Sequence, residues 1–424
     1  NDKVRVRVVP SDYTKHKREG IIVDVIERAN ETVVGTYDRQ QYFGFVVPDD
    51  ERIGTDIFVD LKNTLDARSG AKVLITKWPE GNKKPEGIIT EVLGYKGDVG
   101  LDINCIMANH KIPFAFSDEV IKASKKIDTV IHEDPKRWDL RDLQMVTIDG
   151  EDAKDLDDAV SGRKLPNGNY ELGVHIADVS HYVTSGQPID NEAYKRGTSV
   201  YLVDRVVPML PEVLSNGICS LNAHEDRYAM TCMMEIDDSG TVVNYRIRPS
   251  IIHVGRRCSY KEVYKALEEN IIPDDLQDFM PMLRDLAEIS KILNRMRRRR
   301  GALDFDFPEY KVLLDLDGTP LRIVKRDRTM AERLIEECML IANETVATHL
   351  KNTHRTSVYR IHESPSEEKL DLFQKVLNYL GQDLVLSANG VTPRDFQKIL
   401  DEVKGQDIEQ VAQIMTLRSM QQAK

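Results

Sequence analysis

The sequence is poor in cysteine and tryptophan and lacks any long apolar run. Its five cysteines lie far apart among 424 residues and form no CxxC pair, which argues against a disulfide framework or a zinc ribbon. No apolar stretch reaches the roughly 18 residues of a membrane span, and no apolar segment stands at the N-terminus. We therefore expect a cytoplasmic protein without a membrane partner, in which the cysteines are core thiols.

Length and composition indicate a folded protein of several domains. At about 150 residues per domain, 424 residues predict two or three, and 41% hydrophobic with 30% charged residues exclude disordered and collagen-like classes. The net charge of −11 is unlike that of a protein that coats nucleic acid. The signs are segregated, however: residues 294–300 contain five arginines and residues 149–158 contain six carboxylates. This pattern predicts a basic surface near an acidic site.

The pattern of predicted secondary structure changes near residue 105. Between residues 32 and 102, five short β-type runs are separated by turn residues, which is typical of a small barrel of the OB kind. After residue 140, strands mix with long helices. We predict helices from about Phe279 to Arg300, from Thr329 onward with a capping box to Glu332, and from Ser364 to Gly381. The predicted fold class is a small all-β barrel followed by a large α+β domain.

The acidic segment between Ile148 and Val160 is the strongest chemical signal. Carboxylates this dense repel one another unless a cation lies among them, and Mg²⁺ is bound by a few carboxylates with water and phosphate oxygens. A solvated acidic loop is the alternative, weakened because apolar β-type residues flank the segment on both sides. An EF-hand is excluded, because counting from Asp149 places Lys154 at the glycine position and Val160 at the glutamate position.

Two histidines follow in a strand-like run. His175 and His181 are separated by an even number of residues and are expected on one face of a strand. No third ligand cluster is visible, so we expect hydrogen bonding in the core instead of a zinc site.

Several segments together resemble the ribonuclease II/ribonuclease R family of 3′-to-5′ exoribonucleases. The string from Ile148 to Val160 resembles its signature, and further matching segments stand in the family's order: residues 174–182, 207–211 with 219–221, and 300–305. The resemblance implies that residues 1–30 are the end of a first cold-shock barrel, 31–105 a second, and 106–424 an incomplete catalytic domain. The family's downstream Thr-Ser-Pro-Ile-Arg motif and S1-type barrel have no match here, so we expect a chain truncated at both ends.

The same resemblance implies the site residues. The four active-site aspartates, all expected to bind Mg²⁺, are Asp149, Asp155, Asp157 and Asp158. Asp157 and Asp155 are expected to act in catalysis, and the loss of Asp157 should be the most damaging. The resemblance also implies RNA contacts at Tyr201, Tyr260, Phe305 and Glu336. Phe45 and Phe58 resemble the exposed aromatics of cold-shock domains, and Arg300 is expected to contact phosphates because it belongs to the arginine tract.

Local explanations stay open for some of these contacts. Aromatic residues in such contexts are more often part of a core or its rim. Glu336 is also spaced to pair with Arg333 on a helix surface, and Arg300 stands where a helix dipole favours cations.

The activity implied is processive, sequence-nonspecific, Mg²⁺-dependent hydrolysis of RNA to nucleoside 5′-monophosphates, including structured RNA. The expected partners are messenger and ribosomal RNA and the ribosome, and the protein is expected to be a monomer. The alternative is an RNA-binding protein, or an inactive fragment, with a non-functional nuclease core; the four aspartates disfavour it.

Overall fold

The structure is a computed structural model that describes residues 2–9, 19–27, 31–76, 85–305, 307–381 and 391–424. Its chain divides into two compact units. The first unit comprises Asn1–Ile121, Asn191–Leu210 and Lys311–Val324, and the second comprises Lys122–Asp190, Pro211–Tyr310 and Lys325–Lys424. The domain boundaries predicted at residues 30 and 105 stay predictions.

Strands and helices follow one another along the chain as listed here. The strands are β1 (Lys3–Val9), β2 (Glu19–Glu27), β3 (Thr32–Arg39), β4 (Gly44–Pro48), β5 (Ile57–Val59), β6 (Ala71–Thr76), β7 (Ile88–Tyr95), β8 (Trp138–Leu140), β9 (Val146–Asp149), β10 (Asp158–Lys164), β11 (Tyr170–Ala177), β12 (Val200–Tyr201), β13 (Val206–Val207), β14 (Asp226–Ile236), β15 (Val242–His253), β16 (Arg256–Ser259), β17 (Glu309–Leu314) and β18 (Pro320–Arg326). The helices are α1 (Leu101–Asn109), α2 (Asp118–Ser124), α3 (Val179–Tyr182), α4 (Pro188–Arg196), α5 (Tyr260–Glu268), α6 (Met280–Arg300), α7 (Met330–Asn352), α8 (Glu367–Tyr379), α9 (Pro393–Glu402) and α10 (Glu409–Ser419).

The first unit contains the five-stranded antiparallel sheet that the β-type runs predict. Its strand order is β5-β4-β3-β6-β7. Alternation along the strands sends one set of apolar side chains inward, because successive residues of a strand point to opposite faces. Val46, Ile57, Val73 and Ile89 are fully or almost fully buried in this core. On the opposite face, Val34 and Leu93 pack against α1 in a smaller cluster, and the rest of that face is left for solvent or a ligand.

The second unit is built on a seven-stranded sheet. Its order is β16-β9-β10-β11-β14-β15-β8, with parallel pairs at its two edges (β16 with β9, β15 with β8) and antiparallel pairs elsewhere. Apolar side chains of α6 and α7 pack against strands β9, β10, β11 and β14 in one core. This packing holds the central strands, and hence the segment between β9 and β10, on a rigid support.

Most of the predicted helix ends agree with the structure. Helix α6 ends at Gly301, which adopts φ +100, and α7 begins with the predicted capping box between Thr329 and Glu332. Helix α8 begins at Glu367, and its N-cap is Ser366 instead of the predicted Ser364. No helix in the described part of the chain is both long and apolar enough to cross a membrane. All five cysteines are free and buried, as expected.

The expectation of one strand for both histidines is wrong. Strand β11 ends at Ala177, so His175 lies in the strand and His181 lies in the short helix α3. His175 is fully buried and its ring lies 3.1 Å from Ser161 Oγ and 2.8 Å from Thr231 Oγ1. Thr231 Oγ1 in turn lies 2.7 Å from Ser250 Oγ. The expected core hydrogen bonding is therefore confirmed for His175, as a polar chain across four strands, and is wrong for His181, which is exposed.

This buried imidazole should make the protein's stability depend on pH. Burial lowers the pKa of His175 to about 3, whereas an unfolded histidine has a pKa of about 6.5. The unfolded state therefore takes up the proton first, and the free energy of unfolding falls as pH drops below 6.5. Between pH 7.5 and 5.0 we expect His175 to account for a loss of about 2 kcal/mol.

Urea unfolding at both pH values tests this. His175→Gln should be less stable than wild type at pH 7.5 but should lose about 2 kcal/mol less on acidification. His181→Gln, which changes an exposed histidine, is the matched control and should keep the wild-type pH dependence. Identical pH dependence in His175→Gln and wild type would contradict the assignment.

Candidate active site

The acidic segment connects two buried strands of the central sheet. Asp149 is the last residue of β9 and Asp158 is the first residue of β10, while Asp155 and Asp157 lie in the connection. Leu156, between the last two, is only 1% exposed. The segment is therefore fixed at both ends and in its middle, which disfavours a freely solvated acidic loop.

Backbone hydrogen bonds hold the connection in place. The amide of Leu156 donates to Ser220 Oγ (3.1 Å), and Ser220 Oγ donates to the carbonyl of Lys154 (2.8 Å). The amide of Leu221 donates to the carbonyl of Leu156 (2.8 Å), and the amide of Ala177 donates to the carbonyl of Asp157 (3.0 Å). Residues distant in sequence thus fix the backbone that carries the aspartates.

Arg257 is a residue of this site that sequence reasoning missed. Its guanidinium donates to the carbonyl oxygens of Gly150 (3.4 Å), Glu151 (3.0 Å) and Ala153 (2.7 Å). Arg257 reaches the segment because β16 pairs in parallel with β9. No local pattern in the sequence predicts that pairing. One side chain therefore holds the first turn of the acidic segment.

The electrostatics of the site disfavour full ionisation of its carboxyl groups. Burial, reinforced by the charges of Asp149 and Asp157, raises the pKa of Asp158 to about 7. Burial, with the charges of Asp155 and Asp157, raises the pKa of Asp149 to about 6, although Arg257 opposes the shift. Partial burial and the charge of Asp155 also raise the pKa of Asp157. Raised pKa values are expected when carboxylates lie close together with too little positive charge nearby to balance them.

Two carboxylate oxygens fit a bound cation. The Oδ2 atoms of Asp149 and Asp158 are buried and have no hydrogen-bond partner among the described residues. In the same part of the chain, no three carboxylate, imidazole or thiol side chains form a group that could hold a metal ion. Mg²⁺ is usually held by one or two carboxylates together with waters and substrate phosphates. The pair therefore fits Mg²⁺ better than a metal that needs a cage made of protein alone.

Tyr260 lies close to this pair. It is the first residue of α5 and follows Ser259, which pairs with Asp149 between β16 and β9. Burial and the charges of Asp149 and Asp158 raise the pKa of Tyr260 to about 12. The structure thus brings this predicted contact residue to the aspartates.

Phe305, Glu336 and Arg300 belong to the same unit. The ring of Phe305 stacks on that of Phe307, with 5.7 Å between centroids and an interplanar angle of 11°. Glu336 is bound by Arg328, so the alternative pairing with Arg333 is wrong. Arg300 forms two hydrogen bonds with the carboxylate of Glu344, one of 2.9 Å. Arg300 thus has a local partner, and its role toward RNA stays a prediction.

The remaining predicted contacts lie in the first unit. Phe45 and Phe58 face each other on paired strands and form a cluster with Phe43, with centroids 5.2 to 6.1 Å apart. These three rings lie on the face opposite the buried Val46 and Ile57 and are only partly covered. Tyr201 ends β12 and is 64% exposed. Aromatic faces are therefore accessible in this unit.

Models of two known protein families match most of the chain. Residues 137–424 match the RNB domain, and residues 45–117 match the cold shock domain. Ribonuclease R of Thermotoga maritima is 43% identical over 443 residues, covering 100% of this chain and 62% of that protein. The chain spans about half to two thirds of the length of the curated relatives it matches. The predicted fold class, a small all-β cold-shock region followed by a larger α+β domain, is confirmed.

Solved structures give the same architecture. RNase R of Mycoplasma genitalium in complex with ribose-methylated single-stranded RNA matches with a TM-score of 0.92 and 28% identity, covering 100% of this chain and 67% of that one. Its complex with double-stranded RNA matches with a TM-score of 0.89 and 29% identity, covering 95% and 72%. Yeast Ssd1, described as a pseudonuclease, matches with a TM-score of 0.71, 17% identity, and coverage of 97% and 52%, which shows the fold alone.

Proposed function

The chain belongs to the RNB-domain family, that of ribonuclease II and ribonuclease R, and from this premise we propose that it is a 3′-to-5′ exoribonuclease. It would hydrolyse RNA processively and without sequence preference, and release nucleoside 5′-monophosphates. The observation that carries the proposal is the fixed acidic segment, in which Asp149 and Asp158 each have a buried carboxylate oxygen without a partner. Such a pair is costly to bury unless a cation and a phosphate complete it.

The aspartates divide the work of phosphodiester hydrolysis. A bound Mg²⁺ would supply Lewis acidity, lowering the pKa of a water and neutralising charge on the phosphate. Asp149 and Asp158 would hold it with their buried oxygens, and Asp155 would position a water. Asp157 would hold and orient the attacking water. Arg257 and Ser220 keep the backbone of the segment in place while the strand advances.

Sequence-independent grip would come from aromatic faces. Stacking suits a processive enzyme because every base has a π-face. We assign Tyr201 and Phe305 to stacking at the 3′ end and Tyr260 to the terminal nucleotide beside the aspartates. Phe45 and Phe58 would stack on bases further along the strand. Arg300 would meet the phosphate backbone.

Preference for RNA needs a group that recognises the ribose hydroxyl. Glu336 would accept a hydrogen bond from a 2′-OH, which deoxyribose lacks. We further propose structured as well as single-stranded RNA as substrate, by analogy with the relative bound to both kinds of RNA. A cytoplasmic monomer acting on messenger and ribosomal RNA, in association with ribosomes, completes the proposal.

A binding protein with a non-functional nuclease core is the competing function. The likeness to a yeast pseudonuclease means that the fold alone does not establish hydrolysis. Retention of Asp149, Asp155, Asp157 and Asp158 favours the enzyme.

Incubating the protein in Mg²⁺ with single-stranded RNA, labelled at the 5′ end in one sample and uniformly in another, separates the two. We expect stepwise shortening from the 3′ end with release of mononucleotides, and no shortening when EDTA replaces Mg²⁺. Addition of Mg²⁺ alone should raise the melting temperature, because a cation that binds only the folded state stabilises it. Binding of the RNA without mononucleotide release, in Mg²⁺ and in Mn²⁺, would favour the non-enzymatic function.

A further inference from the structure

We propose that Arg328 is a positioning residue that sets the preference for ribose over deoxyribose. It would do so by fixing the carboxylate of Glu336, and it would also hold the segment that carries Phe305. The inference rests on the proposed nuclease function and deepens it.

Arg328 joins two carboxylates that flank proposed RNA contacts. Its Nη1 donates to Asp304 Oδ1 at 3.2 Å, and its Nη2 donates to Glu336 Oε2. Asp304 immediately precedes Phe305 in the segment after α6, whereas Glu336 lies on α7. A single guanidinium therefore connects the aromatic contact to the sugar contact.

The contact between Arg328 and Glu336 on α7 is called the bridge here. The backbone is firmly anchored at both of these residues. Arg328 directly precedes Thr329, whose capping box with Glu332 fixes the start of α7. Glu336 stands between the buried residues Ile335 and Glu337, the latter bound by Arg297 at 2.8 Å. With both backbones fixed, the direction of the Glu336 carboxylate depends on which donor holds it. Arg328 is that donor.

The contact with Arg328 leaves one carboxylate oxygen of Glu336 for a further donor. A carboxylate has two oxygens, so Glu336 can bind Arg328 through Oε2 and still accept from another donor through Oε1. A cavity of about 10 Å³ adjoins the bridge and is lined by Arg328, Glu336, Asp304 and Glu337, among others. That volume holds about one water molecule. Glu337, which is 2% exposed, also has its Oε2 without a partner in the described part of the chain.

Loss of Arg328 should therefore affect ribose and deoxyribose differently. An unheld Glu336 carboxylate can turn toward solvent, and the hydrogen bond to the 2′-OH weakens. A substrate without that hydroxyl has no such bond to lose. Loss of the Asp304 side of the bridge loosens only the Phe305 segment, which every substrate contacts in the same way.

The test compares kcat/KM for an RNA oligonucleotide and for the same oligonucleotide with 2′-deoxy nucleotides at its 3′ end. Arg328→Ala should lower the RNA-to-deoxy ratio about tenfold or more, the value of one hydrogen bond to a charged acceptor. Asp304→Asn should lower both values together and leave the ratio unchanged. Arg163→Ala, which removes an arginine that pairs with Glu171 and does not line this cavity, is the control and should leave the ratio at the wild-type value.

A double-mutant cycle makes the positioning role specific. Glu336→Gln should lower the ratio, and adding Arg328→Ala should lower it no further, because Arg328 acts through Glu336. An active wild type whose Arg328→Ala variant keeps the ratio, or additive effects in the cycle, would overturn this inference alone. A wild type that releases no mononucleotide would overturn the proposed function instead.

Discussion

Replacing Asp157 by asparagine is expected to abolish RNA hydrolysis while RNA affinity stays within a few-fold of the wild-type value. The substitution removes a negative charge from the proposed position of the reacting phosphate but keeps the size of the side chain. The backbone at this position is held by the bond from the Ala177 amide to the Asp157 carbonyl, which the substitution leaves intact. We expect the single-turnover rate to fall at least about a thousandfold. When catalytic groups act together in the transition state, removing one of them costs about as much rate as removing them all.

Single-turnover cleavage and equilibrium binding of the same oligonucleotide measure the two effects separately. Asp152→Asn is the matched control, since it makes the same chemical change in the same segment at an exposed position. It should hydrolyse at nearly the wild-type rate. Near-normal turnover of Asp157→Asn would remove this carboxylate from the mechanism, and a large loss of affinity would mean that it contributes to binding.

The sequence is most informative where a feature depends on neighbouring residues. The five strands of the β5-β4-β3-β6-β7 sheet are recognisable because short runs of β-branched and other apolar residues are separated by turn residues. The acidic segment is recognisable because its carboxylates are concentrated within ten residues. Helix α7 is recognisable because Thr329 and Glu332 form a capping box at fixed spacing.

The sequence fails where the site depends on contacts between distant residues. Arg257 meets the acidic segment only because β16 lies parallel to β9, and the carbonyls it binds are about a hundred positions away. Helical spacing predicts Arg333 as the partner of Glu336, yet such pairs are weak, contributing about 0.2–0.5 kcal/mol. Arg328, held in place by the helix cap, forms the pair instead.

The arginine tract shows the same limit. Five arginines in seven residues predict a basic surface, but in the structure several of them serve the fold. Arg297 binds the buried Glu337, Arg299 donates to the carbonyl of Ser239, and Arg300 binds Glu344. A charge count cannot separate arginines that bind a ligand from arginines that join helices. We infer that fewer positive charges face a substrate than the sequence suggests.

Tyr201→Ala is expected to weaken the binding of short RNAs and to leave a longer undigested end product. Stacking contributes roughly 1–3 kcal/mol per base, which corresponds to about 5–150-fold in affinity. Tyr201 is 64% exposed at the end of β12, and that strand pairs with β13 in a short two-stranded sheet. Most of the residue is thus exposed, and its replacement should leave the core of the first unit unchanged. Long RNAs should lose less affinity, because their other contacts remain.

Tyr194→Ala is a suitable control, because Tyr194 is 89% exposed in the same unit but stands on α4 outside the proposed contacts. Product ladders from a labelled RNA and affinities for oligonucleotides of increasing length should be measured for both variants. A loss of affinity that grows as the RNA becomes shorter, in Tyr201→Ala alone, is the result expected of a ring that stacks on the 3′-terminal base. An equal loss at every length would place Tyr201 away from the 3′ end, and unchanged ladders and affinities would remove it from the set of RNA contacts.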